Sequence, residues 1–107
     1  MELAFVEKTL RDLCASRAAL DRRLGSERAE ALRHRLADLR AASCIQDLLL
    51  QQPSAIDDLG RMALEVVESV RIVFCPNHRR VPLDGDGKID WSRVSRLKII
   101  DIEGAND

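Results

Sequence analysis

The side chains that could do chemistry in this sequence are cations of its second half: Arg61, Arg71, His78, Arg79, Arg80 and Lys88. Guanidinium and ammonium groups gathered on one surface can grip a phosphodiester and stabilise the charge that develops on it in a transition state. Arg71 draws most interest because of its company, Val70-Arg71-Ile72-Val73-Phe74. An arginine set among β-branched and aromatic residues is either an edge residue reaching water or a working cation mounted on a rigid strand. Arg61 lies just ahead of the preceding apolar run. The alternative, scattered surface arginines with no joint role, stays open on these residues alone.

Other groupings are weaker on chemical grounds. Asp84-Gly85-Asp86-Gly87-Lys88-Ile89-Asp90 looks like the middle of a helix-loop-helix calcium loop. With Gly87 in the sixth position, the first ligand would be Pro82 and the twelfth Arg93. Proline has no side-chain oxygen, and arginine is a cation where a bidentate carboxylate must stand. A glycine-rich turn in a long hairpin connection is the expected reading. Cys75 and His78 could fit half of a zinc site, but no second pair follows. His34 and His78 are the imidazoles available for acid–base work, and neither has an evident carboxylate partner in sequence. No nucleophile elbow, phosphate loop or triad pattern occurs. Neither a metal nor a cofactor is expected.

The cations need a scaffold, and hydrophobic periodicity outlines one. Leu3 to Val6 reads as a short strand, with helix as the alternative at this length. Leu10, Leu13, Cys14, Leu20 and Leu24 then mark one helical face, with a break near residues 14–17 and a stop at Gly25. A second helix starts with Ser26 as N-cap and repeats Ala29, Leu32, Leu36, Leu39 and Ser43 on one side. Its outer surface carries Arg28, Arg33, His34, Arg35 and Arg40, either RNA contacts or a solvated face with pairs such as Glu30 to His34. Ser43-Cys44-Ile45-Gln46 has the pattern of a capping box and predicts a short third helix through about Leu50.

Residues 54–61 read as a loop leading into two strands, 62–67 and 70–75, joined by a tight reversal at Glu68-Ser69. In the second strand Val70, Ile72 and Phe74 fall on one face, and Arg71, Val73 and Cys75 on the other. Residues 76–90, rich in Pro, Gly, Asp and Asn, form a long excursion. One turn follows at 91–94. The last strand, 95–102, is predicted to be buried on both faces by Leu97, Ile99, Ile100 and Ile102. A strand, two or three helices and then at least three strands define one α+β domain over residues 1–107, with helices against one face of a small sheet.

Composition bounds the partners. The chain holds 17 basic and 18 acidic side chains, a net charge of −1. A non-specific nucleic-acid binder usually carries a positive excess, so this balance counts mildly against that class while leaving room for a local basic patch. Aromatics are 3%, namely Phe5, Phe74 and Trp91 without tyrosine, which removes the stacked tyrosines common in RNA-binding sheets. Cys14, Cys44 and Cys75 are odd in number and widely spaced, the pattern of reduced thiols in a cytoplasmic protein. Glu2, Glu7 and Lys8 do not make a signal peptide, and no membrane span is expected.

Several stretches, taken in order, resemble the HigB-like, "killer protein" branch of the RelE/ParE superfamily of bacterial type II toxins. They are Met1-Glu2-Leu3-Ala4-Phe5, Leu10-Arg11-Asp12-Leu13-Cys14, and the run from Leu32-Arg33-His34-Arg35-Leu36 to Ala41-Ala42. Further on come Val70-Arg71-Ile72-Val73-Phe74, Gly87-Lys88-Ile89-Asp90-Trp91-Ser92-Arg93-Val94 and Ile100-Asp101-Ile102-Glu103. The resemblance covers nearly the whole chain. It implies a RelE-like fold, with N-terminal helices packed on a small, mainly antiparallel sheet. It also implies metal-independent cleavage of messenger RNA on the ribosome, and neutralisation by a HigA-like antitoxin carrying a helix-turn-helix domain. In such chemistry basic residues position the phosphate, activate the ribose 2′-hydroxyl and stabilise the leaving group. Arg71 matches the strand arginine of the family's motif, and Arg61 is the nearby cation, so these two are the implied catalytic residues.

Two places depart from the family pattern. The loop before the strand pair is usually basic, but here it reads Ala55-Ile56-Asp57-Asp58-Leu59-Gly60. Many members end in an Asp-Tyr-His-like tail, whereas Glu103 is followed here by Gly104-Ala105-Asn106. These departures define the alternative: a catalytically degenerate relative that keeps the fold as a binding module for an antitoxin-like partner. A gyrase-directed role, as in the ParE branch, is a third option.

Overall fold

Two apolar runs rich in β-branched residues, each interrupted by one charge, Glu65 and Arg71, make the centre of the protein a hairpin. In the computed structural model, which describes residues 1–48, 52–67 and 69–104, its strands are β3 (Met62–Val67) and β4 (Val70–Pro76). Three further strands complete the sheet: β1 (Glu2–Phe5), β2 (Ser54–Ala55) and β5 (Arg96–Glu103). The order across it is β1-β5-β4-β3-β2. β1 runs parallel to β5, and the other neighbours are antiparallel, so the sheet is mixed.

The helices come from the first half of the chain: α1 (Lys8–Ala15), α2 (Arg17–Leu24) and α3 (Ser26–Ala41). The expected break between α1 and α2 falls at Ser16, whose backbone is extended and whose hydroxyl accepts from the Ala19 amide 3.1 Å away. A serine serving as the N-cap of the next helix is what separates the two. Gly25, at φ +84°, turns the chain from α2 into α3 and itself occupies the N-cap position, which corrects the assignment of that role to Ser26.

Leu20 and Leu24 of α2 and Ala29, Leu32, Leu36 and Leu39 of α3 are buried against Leu64 and Val66 of β3, Val70, Ile72 and Phe74 of β4, and Leu97, Ile99 and Ile102 of β5. Each fully buried leucine contributes roughly 1.5–3 kcal/mol before conformational entropy is charged. Trp91 closes one end of this core, its ring edge-on to Phe74 at 6.2 Å and 88°.

Three expectations need correction. The sequence pattern at residues 43–46 does not cap an α-helix: a single 3-10 turn, Ile45–Asp47, forms there, and Cys44 precedes it without a side-chain cap bond. Leu49 and Leu50 of the predicted helix lie outside the described residues. Residues 54–61 are not wholly loop, because Ser54 and Ala55 pair with Ala63 and Met62. β5 is buried on the helix side only. Leu97, Ile99 and Ile102 have no exposure, while Lys98, Asp101 and Glu103 look away from the helices, and Ile100 sits at a register shift opposite Val73 and Phe74. A bulge of this kind lets two apolar positions follow one another without both entering the core.

The excursion after β4 is a folded hairpin. Leu83 bridges Ile89, Gly87 takes φ +78°, and the Asp84 carboxylate accepts from the Asp86 and Lys88 amides at 2.8 and 3.1 Å. Asp84 thereby satisfies its own turn, as an Asx-type turn does. A second 3-10 turn, Trp91–Arg93, starts at Asp90 and leads into β5.

Candidate functional site

Register places Arg71 on the sheet face opposite the helices. Leu64, Ile72 and Ile102 form one row across β3, β4 and β5 and point into the core. The next row, Glu65, Arg71 and Glu103, therefore points the other way. On the other side of the core-facing row, and so on the same face as Arg71, stand Ala63, Val73 and Asp101, the first two only 3% and 4% exposed although they lie outside the core cluster. Arg71 is on the middle strand of five, so it is not an edge residue.

One edge of its guanidinium is occupied. Nε and one terminal nitrogen donate to the same oxygen of Glu103, at 3.1 and 2.6 Å. The two side chains remain 35% and 40% exposed. The hydrogen bond and charge of Glu103, with a further contribution from Glu65, raise the pKa of Arg71 above its ordinary value. Arg71 can therefore hold an anion and offset negative charge, but it cannot take a proton.

Arg61 is not brought to Arg71. It lies just before β3, four residues from the Glu65 that faces Arg71, a separation of about 13 Å at ~3.3 Å per residue. Its Nε donates to Asp57, and the same carboxylate accepts from the Leu59 and Arg61 amides at 2.8 and 3.2 Å. The side-chain bond from Arg61 and these amides hold the Asp57 carboxyl below the usual range. Arg61 belongs instead with Lys98 beside Cys75. Burial raises the pKa of that thiol, and the two cations partly offset the rise.

The other sequence candidates disperse. His78 Nε2 accepts from the Ser95 and Arg96 amides at 3.0 and 3.3 Å, so its lone pair serves the entry to β5. Arg79, Arg80 and Lys88 are exposed on the excursion. On α3, Arg33 pairs with Asp21 of α2 at 3.2 Å and Arg35 with Asp38 at 2.8 Å, while His34 and Glu30 stand 3.9 Å apart. The pairs are those of the solvated-face reading, but the face is only partly solvated: the Arg33 and Arg35 side chains are 25% and 20% exposed, and the Nε atoms of Arg28 and Arg35 are buried.

Sequence reasoning missed Glu103, Glu65 and Lys98. The signal was available in part, since Glu65 and Lys98 break an apolar strand in the way Arg71 does, while Glu103 ends one. Only the register between strands tells which of them meet.

Among the described residues, no helix is long and apolar enough to cross a membrane. The site thus belongs to a small α+β domain with a cation–carboxylate row on its helix-free sheet face. No protein-family model, curated protein or solved structure is found to match the chain.

Proposed function

We propose that this chain is the toxin component of a type II toxin–antitoxin pair, a HigB-like protein of RelE-like fold that cleaves messenger RNA on the ribosome without a metal. The reading rests on the resemblance carried by the sequence, and one observation supports it most. Arg71 is mounted on a central strand, half-exposed, with two N–H groups converging on a single anionic oxygen. A phosphoryl oxygen of RNA fits the same two donors. In the reaction Arg71 holds the phosphate and offsets its developing charge. The partner is a HigA-like helix-turn-helix antitoxin, and the compartment is the cytoplasm.

A second reading, the catalytically degenerate binding module, is favoured by a specific observation. The reaction also needs groups that take the 2′-hydroxyl proton and assist the leaving oxygen. Arg61 is too far along the sheet and tied to Asp57, and the His78 lone pair is committed to backbone amides. Primer extension on cellular messenger RNA after induction separates the two. New 5′ ends that vanish with Arg71→Ala support the nuclease. Intact messenger RNA, with a helix-turn-helix protein co-purifying, supports the binding module.

A further inference from the structure

Glu103 occupies the seat on Arg71 that a phosphate would take. Both donating nitrogens converge on its Oε2, which engages the Nε edge of the guanidinium, two of its five N–H groups. Glu65 flanks the guanidinium from β3, and Asp101 lies two rows away on β5, on the same face. The position of Glu103 is set by the fold. It is paired in register with Arg71, and the next residue, Gly104, takes φ +94° against the Ser69 carbonyl, where a Cβ would collide.

We propose that Glu103 is a built-in competitor for the anion site at the Nε edge of Arg71, and that the ligand admitted there on its displacement is a phosphoryl group. This rests on Arg71 being the phosphate-holding cation and adds how that site is controlled. An isolated anion must displace a carboxylate that is tethered in place and must approach Glu65 and Asp101 as it does so. The tether gives Glu103 a high effective concentration that a free ligand lacks. A phosphate within an RNA strand gripped elsewhere on the protein gains the same advantage and can win the exchange. The site is therefore weak toward free phosphate and opens to a backbone that is presented to it.

The test uses the purified full chain and two probes: a short labelled single-stranded RNA followed by fluorescence anisotropy, and inorganic phosphate followed through the arginine Nε–H resonances. Glu103→Gln is expected to tighten binding about two- to fivefold, the range set by the strength of an exposed ion pair. Arg71→Ala weakens binding, and adding Glu103→Gln to it restores nothing. Asp58→Asn, an equal change of net charge on an exposed turn, leaves affinity unchanged. A gain with RNA alone identifies a phosphodiester as the ligand, and a gain with both probes identifies any phosphoryl group. Equal or weaker binding by Glu103→Gln overturns the proposal. So does a gain that persists without Arg71, or absence of binding by every variant. Tighter binding by Glu103→Gln in a protein that leaves messenger RNA intact keeps the closed site and removes the nuclease.

Discussion

Arg71 and Cys14 both have raised pKa values, for different reasons and with opposite consequences for charge. Arg71 faces away from the core and finds a carboxylate, which holds it charged. Cys14 packs against the core, and burial pushes its thiol up to about 11, Arg40 offsetting only part of the shift. A thiol raised in the folded state binds its proton more tightly there than in the unfolded chain. Its contribution is therefore fully present below the ordinary value of 9.0 and is lost as pH rises toward 11. Thermal unfolding from pH 8 to 11 is expected to show a steeper loss of Tm for the native protein than for Cys14→Ala. A thiol reagent at pH 8 is expected to label Cys14 more slowly in the folded protein than in urea. Equal rates would mean that the thiol is not shielded.

Among the elements, those that follow one period over many residues were legible in the sequence. α3 was fixed by Ala29, Leu32, Leu36 and Leu39, and the hairpin strands by alternation around Arg71. Elements decided by partners were not legible. The two-residue β2 exists only because Ala63 and Met62 offer an edge, and the bulge near Ile100 depends on the register between β4 and β5. The capping pattern at residues 43–46 failed because the segment forms a single 3-10 turn with no α-helix to cap. Glu68 of the predicted reversal lies outside the described residues, and Ser69 beside it has φ +71°. Gly104 gives this corner a direct test. Gly104→Ala would force a Cβ onto the Ser69 carbonyl at a left-handed φ and is expected to cost about 1–3 kcal/mol in urea unfolding. A loss no larger than that of Gly85→Ala, where a Cβ meets open space, would mean the contact does not fix the end of β5.

For the whole molecule, a net charge of −1 conceals a division between the two layers. Residues 8–41, the helical layer, hold nine basic and five acidic side chains, about +4, which leaves about −5 for the remainder. Net charge averages over both layers, so composition alone does not reveal the positive helical one. Despite a pI near 6.1, the protein is expected to be retained on a cation exchanger at pH 7.5, and Arg22→Glu with Arg40→Glu to release it at lower salt. Flow-through of the native protein would mean the layers do not act separately. The nuclease account is a claim about the whole molecule in its cell, and it depends on one side chain, Arg71. Growth after induction of the native chain and of Arg71→Ala, at matched protein levels, tests it most directly. The account predicts arrest by the native chain and relief by the variant; normal growth with the native chain, or equal arrest by both, would contradict it.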